Sequence, residues 1–209
     1  MTPAQEPVLA GGKERRRTRP GKAQQERLIE VAARMFHERG YDATSLQDIA
    51  EELGLLKGSL YHYIASKDDL LWEVILKQHQ SAMALAQRCR ELPGTPMDRL
   101  KEFVGGYAAS LRNERDSVSV YLREIGRLSE ARRTMILDER EQYVAFVRGL
   151  LDEGTAAGQF RKDMDTALVA QGILGMLNST YRWYRPRTKV SPTRATAELL
   201  ELIVRGIQV

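Results

Sequence analysis

The sequence is short of cysteine, histidine and long apolar runs, and each shortage excludes a class of protein. A single cysteine, Cys89, excludes an internal disulfide and a zinc site built on several cysteines, which fits a reducing compartment. The three histidines stand far apart and match no metal-binding spacing. We therefore expect no metal and no cofactor.

Membrane segments and enzyme motifs are missing as well. The least polar long run, residues 167–184, is interrupted by Gln171, Asn178 and Arg182, which favours a buried helix over a membrane span. No charged start leads into the apolar stretch of a signal peptide. There is no glycine-rich phosphate loop, no G-x-S-x-G run and no prominent acid–base pair. These absences predict a cytoplasmic protein that is not an enzyme and has no membrane partner.

What the chain does have is an uneven distribution of charge. Hydrophobic residues make up 43% and charged residues 29%, enough to bury a core, and the net charge is +4. Residues 1–27 hold seven basic and three acidic side chains, so this stretch alone accounts for the excess. A basic arm ahead of a DNA-binding unit follows phosphates or enters a minor groove, which makes Arg19 and Lys22 candidate DNA contacts. A solvated, disordered tail is the alternative, above all for residues 1–12.

Hydrophobic spacing predicts helices throughout the chain. Apolar residues recur every three or four positions in about nine segments, and no stretch alternates convincingly at period two. The breaker at residues 93–96 separates a group of small helices from a larger bundle. The predicted fold class is therefore all-α. We divide it into a basic arm (1–21), a domain of small helices (22–67) and a larger helical domain (68–209).

Several helix ends and faces are predicted in detail. Thr44 or Ser45 is predicted to cap the second helix, with Gln47 three residues after Thr44 as a capping box, and Ser66 predicts a cap for a long fourth helix. Ser191 followed by proline is expected to open the last helix. The buried face of that helix is predicted to hold Ala195, Leu199, Leu202 and Ile203.

The segment TSLQDIAEELGLLKGSLYHYIASKDDLL has the organisation of a helix-turn-helix, with a glycine turn between two helices. Leu60 and Ile64 are one helical turn apart and are predicted to share the buried side of the second of these helices, from about residue 57 to 64. Its outward positions then hold groups suited to base edges and phosphates. The candidate DNA contacts of this unit are Thr44, Ser45, Lys57, Gly58, Ser59, Tyr61, His62, Tyr63 and Lys67.

A structural interpretation of these residues stands beside the functional one. Tyrosine pairs in short helices are often core residues, and serine or threonine caps occur on most helices. From Asp48 to Asp69, five acidic side chains also oppose only Lys57 and Lys67. The order and spacing of the whole segment nevertheless favour DNA binding.

A family resemblance rests on two runs of residues. The chain resembles the DNA-binding unit of the tetracycline-repressor (TetR) family in T-S-L-Q-D-I-A-E-E-L-G and in K-G-S-L-Y-H-Y-I-A-S-K-D-D-L-L, within about residues 24–72. The resemblance implies an all-helical homodimeric regulator, usually a repressor, with duplex DNA as partner. It implies phosphate contacts from Tyr61, Tyr63 and Lys67, and a major-groove position for Lys57, Gly58, Ser59 and His62. Ile64 departs from the usual phenylalanine and Tyr63 from a common histidine.

The remaining chain would, by the same resemblance, sense a small molecule. The runs Y-L-R-E-I-G-R-L-S, G-Q-F-R-K-D-M-D and Y-R-W-Y-R-P are similar to a subgroup that includes the repressor of cholesterol-ring catabolism and responds to acyl coenzyme A (acyl-CoA) thioesters. The resemblance implies that Arg182 and Arg185 meet coenzyme A phosphates, and that Trp183 walls the acyl cavity or stacks on adenine. The further candidate pocket residues are Tyr107, Tyr121, Tyr143, Phe146 and Met176.

Other interpretations stay open at this stage. Aromatic residues at helical spacing are ordinary core, and the polar run 178–180 can pair across helices as readily as with a ligand. The effector could be a hydrophobic drug-like or aromatic compound in place of a thioester. The chain could also bind DNA without any effector, or serve as a helical protein scaffold.

Overall fold

The computed structural model describes residues 20–183 and 191–209, and within them the chain is almost entirely helical. Its helices are α1 (Pro20–Arg39), α2 (Leu46–Leu53), α3 (Lys57–Leu60), α4 (Lys67–Glu91), α5 (Pro96–Asn113), α6 (Arg115–Glu124), α7 (Glu130–Ala156), α8 (Thr166–Trp183) and α9 (Pro192–Ile207). A 3₁₀ turn joins α6 to α7, and one isolated β-bridge links Phe160 to Gln208. The predicted all-α fold of about nine helices is confirmed.

The N-terminal helices pack around a hydrophobic cluster that reaches into the rest of the chain. Leu28 and Phe36 of α1, Ile49 of α2 and Leu60 of α3 are completely or almost completely buried in it. The same cluster includes the first half of α4, through Ile75, and three residues from later in the chain, Val120 of α6, Leu128 before α7 and Ile136 of α7. Core packing therefore divides α4 near its middle, and α4 belongs to both halves of the molecule.

Of the two predicted caps of α2, the structure has Ser45, and its capping box is formed with Asp48 instead of Gln47. Ser45, and not Thr44, is the N-cap: its hydroxyl accepts from the backbone amide of Asp48, whose carboxylate accepts from the backbone amide of Ser45 at 2.8 Å. The Thr44–Gln47 box is wrong because the Thr44 hydroxyl is buried and donates to the Gly40 carbonyl at 2.8 Å. The predicted caps at Ser66 and Ser191 are confirmed.

The second cluster joins the end of α4 to α5, α7, α8 and α9. Gly154 of α7 is required there, since a Cβ atom at this position would lie 2.0 Å from the ring of Phe160. In α9, Ala195 and Ile203 are buried as predicted, but Leu202 is 60% exposed. The inward face of α9 follows positions 195, 199, 203 and 207, and Leu202 lies about 100° away from Ile203 around the helix.

The described helices meet neither the requirements of a membrane span nor those of a metal site. None of them combines the length and the apolar character needed to cross a bilayer. In residues 20–183 and 191–209, no histidine, cysteine or carboxylate residues come together in a set that would hold a metal ion.

Candidate functional site

The turn between α2 and α3 is built on glycine. Gly54 has φ +68°, the left-handed conformation that glycine adopts without a steric penalty, and its amide donates back to the end of α2. Leu60 and Ile64 are both buried, as their spacing predicts. The helix is shorter than predicted: after Leu60 the chain tightens into turns, although the Ile64 amide still donates to the Leu60 carbonyl at 3.1 Å.

The outer side of this unit forms a recognition face, which we define as Lys57, Gly58, Ser59, Tyr61 and His62. All are exposed except Ser59, which is partly buried; Tyr61 is 52% exposed. Lys57 has no ion-pair partner in the described part of the chain, so its charge is available to a ligand. The arrangement fits a major groove, where basic, hydroxyl and backbone groups contact base edges and phosphates.

Leu56 is a surface residue that sequence reasoning missed. Its side chain is 81% exposed directly before the recognition face, whereas the neighbouring Leu55 packs against the N-terminal core. The only signal was the Leu-Leu pair itself, since adjacent residues at a helix start cannot both face inward. An exposed apolar side chain at this place suits contact with a thymine methyl group.

Other predicted DNA contacts are differently placed. Thr44 is buried, and the Ser45 hydroxyl lies 2.7 Å from Asp48, so both hydroxyls have internal partners. Tyr63 is partly buried against the N-terminal core. Lys67 is partly buried, with its Nζ 4.2 Å from the centre of the Tyr41 ring. Lys22 is exposed in the first turn of α1, and Arg19 lies outside the described residues.

The acidic side chains of the unit all have partners within the chain. Glu52 pairs with Arg34 at 2.6 Å, and Asp69 pairs with Arg132 at 2.6 Å. The remaining three contact uncharged donors: Asp48 with Ser45, Glu51 with Gln47, and Asp68 with the Tyr41 hydroxyl. Hydrogen bonds from Ser45 hold the pKa of Asp48 below the ordinary value, and the Ser66 hydroxyl together with Arg132 does the same for the pKa of Asp69.

Two ion pairs tie the DNA-binding unit to the bundle. Arg127, in the turn after α6, binds Asp42 through two bonds of 2.9 and 2.6 Å and also binds Glu124 at 2.7 Å. Arg132 of α7 binds Asp69 at the start of α4. A displacement of α6 or α7 would therefore be transmitted to both ends of the helix-turn-helix.

A cavity lies between α4, α5, α6, α7 and α8, and the space within it and its open mouth amounts to about 540 Å³. Its apolar lining includes Met83, Val118, Leu122 and Leu174. Its polar lining is Gln78, His79, Tyr107, Tyr121, Arg140, Tyr143 and Asn178.

Three of the predicted pocket residues thus meet in one cavity: Tyr107, Tyr121 and Tyr143. Phe146 does not line it, because one turn beyond Tyr143 its ring turns to Phe103, at 5.6 Å between ring centres. Met176 packs on the second hydrophobic cluster and is also outside the lining.

The polar groups of the cavity form two hydrogen-bonded sets. The Tyr107 hydroxyl donates to Asn178 Oδ1 at 2.9 Å, which joins α5 to α8. His79 of α4 has its Nε2 atom 2.8 Å from Glu139 of α7 and its Nδ1 atom 3.3 Å from the Tyr121 hydroxyl. Sequence reasoning missed His79; the available signal was its position one turn after Ile75, on the buried face of α4.

Of the predicted phosphate contacts of the effector, Arg182 lies outside this lining. Arg182 is exposed, and its Nε atom donates to the Tyr181 hydroxyl at 3.1 Å. Arg185 lies outside the described residues, as does the side chain of Trp183. Ser179 and Thr180 donate to the Met176 carbonyl of their own helix, so they require no external partner.

Comparison with known families places both halves of the chain. Residues 28–74 match the profile described as bacterial regulatory proteins, tetR family. Residues 93–207 match the profile described as tetracyclin repressor-like, C-terminal domain. Together the two profiles cover the recognition face and most of the cavity lining; the cavity residues of α4, from Gln78 to Met83, lie between the two matched ranges.

Individual relatives agree with these matches. The chain is 32% identical to the HTH-type transcriptional repressor KstR2 of Mycobacterium tuberculosis over 86% of this chain and 90% of the relative. The structure of that ketosteroid transcriptional regulator superposes with a TM-score of 0.83 at 30% identity, covering 89% and 95% of the two chains. PfmR of Thermus thermophilus is 31% identical, with a TM-score of 0.79 over 86% and 97%. AibR, solved in complex with isovaleryl coenzyme A and operator DNA, shares the fold at 24% identity and a TM-score of 0.77, over 86% and 97%.

Proposed function

Since this chain belongs to the TetR family of DNA-binding transcriptional repressors, we propose that it represses from a near-palindromic operator and is released by an acyl-CoA thioester. Regulators of this family are not enzymes, and a bacterial repressor acts on DNA in the cytoplasm. The main observation in favour of an effector is the cavity beside α4, because α4 also forms part of the DNA-binding core.

The DNA half of the proposal uses the recognition face. Lys57 and Ser59 are proposed to read base edges, and Tyr61 to contact a phosphate from its exposed position. In a homodimer, two such faces enter successive major grooves about one helical turn apart. Exposed leucines support dimerisation through α8 and α9: Leu168 is 71% exposed and Leu202 is 60% exposed.

The effector half rests on chemistry and on relatives. The cavity combines apolar walls with several hydroxyl and amide groups, as an oxygenated acyl body requires. The relative at 32% identity is named as a ketosteroid regulator, which favours a ring-containing acyl group. AibR is too distant to carry its ligand over, but it is a protein of this fold solved with a coenzyme A thioester. Arg182 and Arg185 remain the proposed partners of the coenzyme A phosphates.

Release is proposed to follow from a shift between two conformations. Ligand in the cavity contacts His79 in the second half of α4, while Leu70 and Val74 in the first half pack in the DNA-binding core. A thioester that binds better when α4 is displaced favours dimers whose recognition faces are wrongly spaced. It acts only to the extent of its differential affinity for the two states.

The test is operator binding measured with and without coenzyme A thioesters. DNA fragments retained by the protein from genomic DNA supply the operator, and straight-chain, branched and ring-containing thioesters are compared with free acids and free coenzyme A. A thioester at about one hundred times its dissociation constant should add about 2.7 kcal/mol of stability and release the operator. Intact operator binding that no thioester alters would refute the effector assignment.

That result would leave two alternatives, distinguished by a second panel. Release by hydrophobic aromatic or drug-like compounds would assign the cavity to such ligands. Insensitivity to both panels would identify a DNA-binding protein without an effector. Loss of sequence-specific binding altogether would refute the operator half of the proposal.

A further inference from the structure

One wall of the cavity carries a cation that no acidic residue neutralises. Arg140 of α7 is partly buried, lines the cavity and forms no ion pair with any described residue. Arg132 and Arg148 on the same helix are paired with Asp69 and Asp152. A partly buried guanidinium without a counterion is costly unless a ligand supplies one.

Next to it lies a hydroxyl group without a hydrogen-bond partner. The Tyr143 oxygen is buried and contacts no donor or acceptor among the described residues, although most buried polar groups are paired. Burial raises the pKa of Tyr143 well above the ordinary value of 10, so the group is a neutral donor under all physiological conditions. Tyr143 follows Arg140 by three residues, which places both side chains on one face of α7.

Four other polar groups of the cavity have partners within the protein. The Tyr107 hydroxyl donates to Asn178, and both ring nitrogens of His79 contact Glu139 and Tyr121. Gln78 of α4 also lines the cavity, but its amide carries no charge. No acidic side chain lines the described cavity, so a cationic ligand would find no counterion there. A cation without a counterion and a hydroxyl without a partner thus lie together on one helix, at a place that we call the α7 corner: Arg140 and Tyr143.

We propose that the α7 corner binds an electron-rich oxygen of the effector, a carboxylate or a thioester carbonyl, while its apolar body fills the space beside Val118, Leu122 and Leu174. The inference rests on the proposed function, because it takes the cavity to be the effector site. It adds the polarity of the ligand and its direction: the oxygen points to α7, and apolar atoms point to α6 and α8. A plain hydrocarbon or an amine does not meet this requirement.

Two variants test the corner with different structural risks. Arg140→Gln removes the charge and keeps a side chain of similar polarity, with Arg148→Gln on the exposed side of the same helix as its matched control. Tyr143→Phe removes only the unpartnered oxygen, so the unliganded protein should keep or slightly raise its melting temperature. A purely structural hydroxyl would behave in the opposite way.

The probes are carboxylic acids with straight-chain, monocyclic and tetracyclic skeletons, each matched with its coenzyme A thioester, its primary alcohol and its primary amine. Dissociation constants are measured by titration calorimetry, and operator release is measured with the same compounds. We expect at least one skeleton to bind as the acid or the thioester, and its affinity to fall about 10- to 100-fold in Arg140→Gln and Tyr143→Phe. Arg148→Gln should bind like the unaltered protein.

The outcomes separate this inference from the function on which it rests. Preference for the acid identifies a carboxylate at the corner, and preference for the thioester identifies its carbonyl; both support the inference. Equal affinity of the unaltered protein and the two variants overturns it even if the ligand releases the operator. Tightest binding by an alcohol or amine, or no binding across the panel while the operator is still bound, also overturns it. In the last case the regulator itself is retained.

Discussion

At the scale of single residues, two neighbouring glycines of the helix-turn-helix have different roles. Gly54 has φ +68°, so a side chain there would be strained whatever space surrounds it. Gly58 has no positive φ, and a Cβ atom at this position would meet nothing within 4 Å. The fold therefore requires glycine at position 54, whereas at position 58 only a ligand approaching the recognition face would require it.

This contrast predicts opposite effects of two alanine substitutions. Gly54→Ala should lower the free energy of unfolding by about 1 kcal/mol, because alanine resists the left-handed conformation. Gly58→Ala should raise it by about 0.5–1 kcal/mol, because α3 gains a better helix former, and yet weaken operator binding through its added methyl group. Urea denaturation and operator titration of the same samples measure both quantities. Unchanged operator affinity in Gly58→Ala would remove that residue from the interface.

Single residues also show which structural features can be predicted from the local sequence. The buried pair Leu60 and Ile64 could be predicted because helical spacing is a local property. The exposure of Leu202 could not be predicted, because this residue lies between two possible buried faces of α9. Only the helices that pack on α9 decide which of the two faces is buried. Local spacing places His79 on the buried face of α4, but it could not identify Glu139, 60 positions away in sequence, as the partner of His79.

At the scale of helices, three N-termini share the same capping arrangement, in which an aspartate is hydrogen-bonded to the N-cap residue. Asp48, Asp69 and Asp98 each accept from a serine or threonine at the cap of α2, α4 and α5, and these bonds lower the pKa of all three carboxyl groups. A carboxyl group whose pKa is lower in the folded state stabilises the protein above its unfolded pKa. That contribution is lost as pH falls through the folded value.

These capping hydrogen bonds predict that the protein loses stability in acid, and that part of the loss comes from one helix cap. Between about pH 7 and about pH 3, the melting temperature of the unaltered protein should fall, and Asp98→Asn should fall less because position 98 no longer takes up a proton. At neutral pH the variant should be the less stable protein, since it lacks the charge at the start of α5. Asp163→Asn, at an exposed position outside these caps, is the control. Parallel pH profiles for the unaltered protein and Asp98→Asn would contradict the assignment.

Helices were the best-predicted feature, and helix ends the least. The periodicity of α4 was clear from the sequence because its buried face repeats over 25 residues. The choice between Thr44 and Ser45 as N-cap was not, because both are hydroxyl residues. That choice depends on the end of α1, where the carbonyl groups of Met35 and Gly40 accept from the Thr44 hydroxyl.

At the scale of the whole molecule, the exposed apolar residues of α8 and α9 form the surface through which we propose that the chain dimerises. Leu168 of α8 and Leu202 of α9 lie outside both hydrophobic clusters. Between them and the solvent there is no other element of the described chain to bury them. A second copy of the chain offers the same surface, as a two-fold interface requires.

If the chain dimerises through this surface, charged substitutions in it should separate the two subunits without unfolding them. Leu168→Glu and Leu202→Glu should leave the melting of the helices largely intact, because neither side chain is in the core, but should shift the protein to monomers in sedimentation experiments. Operator affinity should fall by orders of magnitude, since one recognition face alone makes half the contacts. Leu137→Glu, an exposed leucine on α7, is the control. Dimers that persist in both variants would place the interface elsewhere.

The basic arm gives the last prediction, because it concerns the charge of the whole molecule. The recognition face contributes few basic groups, and residues 1–27 contain the whole net charge of the chain. If the arm follows phosphates, affinity depends on counterion release, and the logarithm of the binding constant falls with the logarithm of salt concentration by about 0.9 per phosphate contacted.

Deleting residues 1–19, which leaves all of α1 in place, should therefore weaken operator binding at low salt and flatten its salt dependence. Replacing Arg15, Arg16 and Arg17 with glutamine should reproduce most of the effect, because charge and not chain length is the cause. Operator titrations over a series of salt concentrations measure both slopes. A slope that is unchanged by the deletion would mean that the arm does not touch DNA, and the exposed Lys57 and Lys22 would have to supply the phosphate contacts in its place.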